Sequence, residues 1–264
     1  MFFSIITPVR NGSIFVDGYL NCLWDQDFSD WESIIVDDSS TDGTFETFKR
    51  LTKNDPRFLL LKNPNTANKK IPGPYQARNL ALKNARGRFI CFLDVDDAWP
   101  RQKLSRYHTI LAKEQNIDIV YSDYICHNTH KKTVFFVKQP VFISPQLIVH
   151  FANPIPMLTA CIRRSVAVNY TFPAVHHEDY VYWRNVILDM QNYFIRHVDE
   201  PLAIYRIHKS SLTANKFLSF YWLYKVFMLS NVKHAYIPFY LLGNILFHLV
   251  RFAYSRTSFF EREI

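Results

Sequence analysis

The sequence predicts an α/β fold, in which a mostly parallel sheet is covered by helices on both faces. Short apolar runs alternate with helix-like stretches through the first hundred residues, and each apolar run ends in a polar cluster. Strand, helix and strand in repetition indicate parallel strands joined by crossover helices. Because ligands bind beyond the carboxyl ends of such strands, we expect the chemistry in these polar clusters.

Each element follows from its own segment of this pattern. The expected strands of the first half are 3–7, 33–36, 58–61 and 89–93, and the expected helices are 14–24, 44–52 and 75–85. Beyond residue 100 we expect a helix to 113, a strand at 117–125, a proline-rich irregular region at 132–168 with a short helix and a strand near 158–162, a helix at 180–190, and strands at 193–197 and 202–207. A chain of 264 residues can hold one large domain.

The composition excludes several classes of protein. Aromatic residues make up 16% of the chain, which disordered proteins do not reach. The four cysteines are widely spaced and form no Cys-x-x-Cys pair, so reduced, buried thiols are expected rather than a zinc or redox site. The N-terminus lacks the basic and long apolar regions of a secretory signal, which predicts a cytoplasmic protein.

The positive charge is concentrated at the C-terminal end. The net charge is +8, and the segment from Lys209 onward has seven Lys or Arg and two Glu, or 7 − 2 = +5. An anionic partner is therefore expected. No helix-turn-helix, zinc finger or RNA-recognition signature accompanies the basic residues, so the sequence favours a membrane surface and no nucleic acid.

Two adjacent carboxylates, Asp37 and Asp38, end the second expected strand and precede a turn rich in helix-capping residues. Capping explains the Ser and Thr residues, and Asp42-Gly43 is an ordinary turn pair. Capping does not explain two neighbouring charges where one acceptor would suffice. A carboxylate at this strand end could instead accept the imide N–H of a uracil-type base, and this cluster alone leaves both interpretations open.

Three carboxylates within four residues, Asp94, Asp96 and Asp97, follow the apolar run 89–93. They repel one another at the end of a buried strand unless a cation is bound. Such hard oxygen ligands suit Mg²⁺ or Mn²⁺, which keep coordination positions for substrate phosphates. A calcium loop of the EF-hand type fits poorly because Ser105 stands where its closing Glu belongs. A solvated acidic turn remains the alternative.

Two further clusters each have a functional and a structural interpretation. Arg78, in the first turns of a helix, could hold a phosphate or form a salt bridge with an acidic cluster. Glu178 and Asp179 could stabilise the first turn of their helix through its dipole, or one of them could act as a general base. His208 ends a later strand, where it could reach the same pocket or be structural.

In this order and at these separations, the clusters make the chain resemble the family-two glycosyltransferases of the GT-A fold over about residues 3–213. The segment 4–11 resembles the family's first strand and nucleotide loop, with Arg10 where Tyr is more usual. The segment 36–44 resembles the second signature, in which the second Asp contacts the base. The segments 77–79, 85–87 and 93–97 resemble the block that ends in the Asp-x-Asp motif. The combination is specific, whereas no single segment is.

The resemblance implies a Rossmann-like GT-A domain at 1–213, with a donor half at about 1–100 and an acceptor half at about 101–213. It assigns six residues to a nucleotide-sugar donor, by expectation a UDP-sugar: Thr7, Pro8, Asp38, Arg78, Asp94 and Asp96. It further implies that Asp96 and Asp94 bind Mn²⁺ or Mg²⁺, that His208 is a further candidate ligand of the metal or diphosphate, and that Asp179 is the catalytic base.

The reaction implied is inverting transfer of a sugar to a hydroxyl of a glycan or lipid-linked glycan, in cell-surface polysaccharide synthesis. The Gln-x-x-Arg-Trp motif of processive synthases is absent, so one sugar per encounter is expected. Two alternatives remain. A non-catalytic module of the same shape would not need to keep mutually repelling carboxylates, and a sugar nucleotidyltransferase would need a Gly-rich N-terminal phosphate loop, whereas Gly12 stands alone.

The extension at 214–264 is expected to be helical, strongly apolar and basic. Its segment 235–250 has 16 residues without Lys, Arg, Asp or Glu, fewer than the ~20 that a spanning helix needs. Aromatic residues beside Lys225, Lys233, Arg251 and Arg256 are typical of a helix lying on anionic lipid. We expect peripheral attachment to the cytoplasmic face of the inner membrane, with a helical pair packed on the catalytic domain as the alternative.

Overall fold

A mixed sheet of eight strands forms the centre of the described protein. The computed structural model describes residues 1–64, 71, 73–189, 194–207, 216–230 and 232–256. Its strands are β1 (Phe3–Val9), β2 (Trp31–Asp37), β3 (Phe58–Lys62), β4 (Phe89–Phe92), β5 (Ile119–Asn128), β6 (Thr133–Val137), β7 (Cys161–Arg163) and β8 (Ile195–Ile207). The order across the sheet is β3-β2-β1-β4-β7-β5-β6, and β8 pairs with β5 outside this path.

Helices cover both faces of this sheet. They are α1 (Val16–Trp24), α2 (Thr44–Thr52), α3 (Tyr75–Asn84), α4 (Lys103–Lys113), α5 (Pro145–Ile148), α6 (Arg164–Ala167), α7 (Glu178–Asp189), α8 (Lys216–Leu229) and α9 (Ile237–Arg256). Strands β1 to β4 are all parallel, as is the β5–β8 pair, whereas β7 runs antiparallel to β4 and β5, and β6 antiparallel to β5. The predicted mostly parallel α/β architecture is confirmed.

The central strands are apolar because both of their faces are buried. Successive side chains of a strand point to opposite faces, and neighbouring residues accordingly enter different cores. Ile6 and Ile34 pack in one core with α3, α7 and α8. Ile5 and Ile35 pack in the other with α1, α2 and α4. A strand buried in this way is mostly apolar and contains an uninterrupted apolar run, which is why β1, β2 and β4 were predictable.

The second half of the chain differs from the prediction in two places. Strand β6 lies inside the region 132–168 that was expected to be irregular, and it forms a hairpin with β5 at the edge of the sheet. The separate strands expected at 193–197 and 202–207 are one strand, β8, although residue 193 lies outside the described residues. Pro201 lies within this strand, and the sheet accommodates it through shifts of register against β5.

The segment 85–87 joins β1, β2 and β4 below the polar clusters. The buried Glu32 carboxylate accepts hydrogen bonds from the Arg86 guanidinium and from the Ser4 hydroxyl, at 2.6 and 2.7 Å. Burial alone would raise the pKa of Glu32, but these hydrogen bonds prevail and lower it. A Cβ on Gly87 would lie 2.5 Å from the Ser4 nitrogen, so only glycine fits. This part of the sequence pattern is therefore structural.

The C-terminal helices pack on the domain. Leu223 and Phe227 of α8 enter the same core as β1. Helix α9 is attached along its length: Asn244 donates to the Phe151 carbonyl at 3.0 Å, and Ser255 accepts from the Lys138 N–H at 3.2 Å. These contacts agree with the alternative interpretation, in which a helical pair packs on the catalytic domain. The proposed boundary at 213/214 falls outside the described residues.

Helix α9 is longer than the apolar segment counted in the sequence. Residues 234–255 form a stretch of 22 residues with a mean hydropathy of 1.3, long and apolar enough to cross a membrane. The 16-residue segment therefore understates the length of this apolar helix, which continues through Arg251. Within its most apolar window only 11% is buried. Most of this helix consequently faces away from the protein.

Candidate active site

Three loops meet at the edge of the sheet where the parallel strands β1, β2 and β4 end. They are residues 10–13, 38–43 and 93–97. The first loop is tied to the second, since the Gly12 N–H donates to the Thr44 hydroxyl at 2.9 Å. It also abuts the third, because a Cβ on Gly12 would lie 2.9 Å from a methyl carbon of Val95. The loops at 10–13, 38–43 and 93–97, which are far apart in the sequence, are thus brought together.

Asp42 is the residue that holds the first two loops in place. Its carboxylate accepts hydrogen bonds from the backbone N–H groups of Ser13 and Thr44, at 3.0 and 3.1 Å. Burial acts to raise its pKa, but the hydrogen bonds from Thr44 and Ser13 prevail and hold the pKa at about 2. Gly43 follows with φ +83°, a conformation that favours glycine. The structural interpretation of this turn pair is therefore the better one.

Asp37 and Asp38 are both buried at the end of β2. One Asp37 oxygen, Oδ2, accepts from the Ser40 N–H at 3.1 Å, and Oδ1 has no hydrogen-bond partner within the described part of the chain. Asp38 Oδ1 accepts from the Asn63 side-chain amide at 2.8 Å, which orients that carboxylate. Asn63 follows β3, and sequence reasoning missed it. That Asp38 contacts a base stays a prediction.

Arg78 is the centre of the site's ion pairs. One of its terminal nitrogens donates to both oxygens of Asp94, at 2.9 and 3.0 Å, and the other donates to Glu178 at 2.6 Å. Burial acts to lower its pKa, but the charges of Asp94 and Glu178 prevail and raise it. Arg78 thus links the Asp-x-Asp loop to the start of α7, as the salt-bridge interpretation expected. A contact between Arg78 and the donor stays a prediction.

The three carboxylates of the acidic triplet have different surroundings. The Asp94 side chain is 41% exposed, Asp96 is half-buried, and Asp97 is buried. Asp97 accepts from the backbone N–H of Arg206 at 3.0 Å and so ties the loop to β8. Burial, followed by the charges of Asp94 and Asp96, raises the pKa of Asp97 well above its usual value. Asp97, whose role the sequence left open, is a structural residue.

Glu178 and Asp179 begin α7 on the far side of Arg78. Burial raises the pKa of Glu178, with a further contribution from Asp179, while Arg78 opposes the shift. The half-buried Asp179 accepts from the Asn153 side-chain amide at 2.8 Å. Asn153 lies in the irregular region between β6 and β7, where no sequence pattern pointed to it. Its hydrogen bond fixes the orientation of the predicted base.

The remaining predicted site residues are placed differently. The Thr7 hydroxyl is fully buried and hydrogen-bonds to Tyr19 at 2.6 Å, so this side chain belongs to the core. Of Thr7, only the backbone could contact the nucleotide sugar. Pro8 is buried in β1 beside Val36 of β2. His208 lies outside the described residues.

The fit of a divalent metal depends on Asp94 and Asp96. Among the residues that the structure describes, no group of three or more His, Cys, Asp or Glu side chains could by itself hold a metal ion. The two partly exposed carboxylates of the triplet nevertheless fit a site that substrate would complete, because Mg²⁺ is commonly bound by one or two carboxylates together with substrate phosphates. The residues present are thus compatible with the expected Mn²⁺ or Mg²⁺.

Comparisons of the sequence with known proteins point to one family. The family model described as Glycosyl transferase family 2 matches residues 4–163. The chain is 33% identical over 214 residues to the Escherichia coli UDP-Glc:alpha-D-GlcNAc-diphosphoundecaprenol beta-1,3-glucosyltransferase WfgD, covering 81% of this chain and 80% of that protein. It is 27% identical over 238 residues to an uncharacterized glycosyltransferase of Haemophilus influenzae, covering 88% and 92% of the two chains.

Solved structures share the fold at low sequence identity. Staphylococcus aureus TarS 1–349 in complex with UDP-GlcNAc superposes with a TM-score of 0.71 at 23% identity, covering 98% of this chain and 74% of that one. The mannosyltransferase PcManGT from Pyrobaculum calidifontis, in complex with GDP-Man and Mn²⁺, superposes with a TM-score of 0.64 at 19% identity, covering 95% and 75%. These likenesses establish the architecture of the catalytic domain.

Proposed function

Because the chain belongs to glycosyl transferase family 2 and is a glycosyltransferase of the GT-A fold, we propose that it catalyses metal-dependent, inverting, non-processive transfer from a UDP-sugar to a lipid-linked glycan. The observation that carries this proposal is the double ion pair of Arg78. It joins Asp94 of the Asp-x-Asp loop to Glu178, the neighbour of Asp179. In this proposal, the Arg78 ion pairs hold the donor residue Asp94 and the first turn of the helix that carries the base against the same guanidinium.

The residues proposed to bind the nucleotide-sugar donor lie at the ends of the parallel strands. Asp38, oriented by Asn63, would accept the imide N–H of uracil. Asp94 would contact the ribose or the transferred sugar, and Asp96 would be the direct ligand of Mn²⁺ or Mg²⁺. UDP is the favoured nucleotide because the name of the Escherichia coli relative specifies UDP-Glc and because TarS binds UDP-GlcNAc. Arg78 and His208 are the cationic candidates for the diphosphate.

The reaction proposed is a single displacement at the anomeric carbon. The acceptor hydroxyl loses its proton to Asp179 as its oxygen forms the new glycosidic bond. The bond to the diphosphate breaks on the opposite face, so the configuration inverts. Asn153 positions the Asp179 carboxylate for this transfer. The bound metal would supply Lewis-acid chemistry that neutralises the leaving diphosphate.

A donor-turnover screen tests the proposal. Hydrolysis and transfer would be measured with a panel of nucleotide sugars, with and without Mn²⁺, for the wild type and Asp96→Ala. We expect turnover of a UDP-sugar that depends on the metal, and loss of that turnover in Asp96→Ala because one of the two partly exposed carboxylates of the triplet is removed. Ser105→Ala, outside the acidic loop, is the matched control. Metal-independent turnover that survives Asp96→Ala would contradict the proposal.

The acceptor is proposed to be presented at the cytoplasmic face of the inner membrane. Relatives named as acting on undecaprenyl-diphosphate acceptors come from Escherichia coli and Campylobacter jejuni. On α9 of this chain, exposed apolar side chains recur at helical spacing: Phe239, Leu242, Leu246 and Leu249 are each more than half exposed. A helix docked along one side and apolar along the other fits a position in the membrane interface, parallel to its plane.

Vesicle flotation tests the membrane attachment. The wild type is expected to float with vesicles that contain anionic phosphatidylglycerol. The double variant Leu246→Glu/Leu249→Glu should lose ~10-fold or more in binding, because two charges enter the apolar contact surface. Val168→Glu places a charge on an apolar residue outside α9 that is 45% exposed, and this variant should bind as the wild type does. Equal flotation of all three proteins would refute a role for α9.

A further inference from the structure

A mostly apolar cavity lies between α8 and two segments near the start of α7. Its volume is about 280 Å³, just below the ~300 Å³ at which pockets for drug-sized ligands begin. The residues that line it include Ile71, Val175, His176, Trp222, Lys225 and Leu229. We refer to this space as the α8 cavity.

The α8 cavity is structurally connected to the predicted base. His176, which lines it, stacks on Trp222 of α8 with 3.9 Å between ring centroids and 10° between ring planes. His177 adopts φ +56° and hydrogen-bonds through Nε2 to Ser219 at 3.1 Å. These two histidines immediately precede Glu178 and Asp179. The loop that leads into the predicted base is thus attached to α8, and His176 of this loop also lines the α8 cavity.

The opposite wall of the cavity also leads to the site. Ile71 lines the cavity, and a Cβ on Gly73 would lie 3.9 Å from a carboxylate oxygen of Glu178. Two further residues that line the cavity, Tyr221 and Leu229, are 52% and 67% exposed. The α8 cavity is therefore lined by residues from two segments that adjoin Glu178, and it also borders exposed apolar side chains of α8.

The charge of the cavity favours an anionic ligand. Lys225 is on its wall, and the described residues that line it include no Asp or Glu. The segment 216–256 as a whole has five Lys or Arg and no acidic residue. An apolar chamber with one cation at its wall matches a molecule that joins a hydrocarbon chain to a phosphate group, because ammonium groups form charge-assisted hydrogen bonds with phosphate.

We propose that the α8 cavity binds the lipid end of a polyprenyl-diphosphate acceptor, with the first isoprene units against Val175 and Leu229 and the diphosphate on Lys225. The assignment rests on the proposed function, since it places the acceptor sugar at Asp179 and the rest of the polyprenyl chain along the exposed apolar surface. A free glycan has no group to fill this space. Lipid linkage, rather than the sugar alone, thus contributes to acceptor selection.

The experiment uses a photoactivatable diazirine analogue of farnesyl diphosphate as the probe. Affinity would be measured in detergent-free solution, and the labelled peptide would be identified by mass spectrometry. We expect labelling within residues 221–229 or 175–176. Lys225→Glu should weaken binding about tenfold, because an attraction to the diphosphate becomes a repulsion. Val175→Trp, which fills the cavity without changing its charge, should also prevent labelling there.

Controls separate this site from general attraction and from the donor site. Lys113→Glu makes the same charge change in the last turn of α4, outside the cavity, and should leave probe affinity unchanged. Farnesol and inorganic diphosphate should each bind more weakly than farnesyl diphosphate. Labelling confined to α9, or equal weakening by Lys225→Glu and Lys113→Glu, would overturn the proposal. UDP-sugar binding would be measured on the same preparations. A protein that binds UDP-sugar but not the probe would contradict the cavity proposal alone, whereas a protein that binds no UDP-sugar would contradict the proposed function.

Discussion

Asp179→Asn is expected to lower kcat by ~10²–10⁴-fold, the range that a positioned general base contributes. Asparagine has nearly the same shape as aspartate, and its side-chain oxygen can still accept the hydrogen bond from Asn153. The asparagine amide cannot, however, take up the proton from the hydroxyl of the acceptor sugar. The affinity for the nucleotide-sugar donor should therefore stay close to that of the wild type, and the loss should appear in steady-state transfer assays as a fall in kcat.

The variant Asn153→Ala distinguishes the base from its positioning residue. It leaves the Asp179 carboxylate in place but removes the amide that orients it, so a smaller loss of kcat is expected. Asn153→Asp would place a second negative charge beside Asp179, so we expect it to lower kcat more than Asn153→Ala does. An Asp179→Asn enzyme with normal kcat, or one that loses donor affinity and kcat together, would show that Asp179 does not act as the base.

Arg78→Met is expected to produce the largest loss of folding stability among these site variants. It leaves Glu178, whose side chain is only 11% exposed, without its cation. Removing one partner of a buried ion pair typically costs about 3–5 kcal/mol. The ion pair with Asp94 should contribute little to this loss of stability, because that carboxylate is 41% exposed and partly screened by water. Urea unfolding of the wild type and the variant measures the difference.

A double-mutant cycle tests whether the Glu178 pair is the cause. Arg78→Met/Glu178→Gln removes both charges and should be more stable than Arg78→Met alone, because no buried charge is left unpaired. The exposed pair between Arg106 and Glu200 is the matched control, and Arg106→Met should cost at most about 1 kcal/mol. Additive losses in the Arg78 and Glu178 variants would contradict the buried-pair explanation.

The strands in the first hundred residues were predictable because their sequences have a strong local signal. A strand covered on both faces is apolar over most of its length, and the apolar runs in β1, β2 and β4 show this pattern. Strand β6 also has a short apolar run at 134–137, but it lies at the edge of the sheet, with Thr133 and Val134 exposed, in the proline-rich region that was expected to be irregular. Strand β8 was predicted as two strands, whereas it is one strand that contains Pro201 and pairs with β5 across a register shift.

The site was predictable where charge is concentrated in the sequence and unpredictable where a single amide acts at a distance. Asp38 and its partner Asn63 are 25 positions apart, and Asn153 and Asp179 are 26 apart. A lone asparagine in a loop or an irregular region carries no pattern that distinguishes it from a turn residue. Hydrogen bonds of this kind become visible only when the chain has folded and brought the two segments together.

The amino-acid sequence by itself determined the α/β architecture, the family resemblance and the position of the acidic clusters, because burial periodicity and repelling charges are local properties of the chain. The tertiary structure alone decided how those charges are used. Arg78 pairs with Asp94 and Glu178 rather than standing free, and Asp97 anchors β8. The same long-range packing attached α8 to the loop before Asp179 and created the α8 cavity, because these contacts join residues that are remote in sequence.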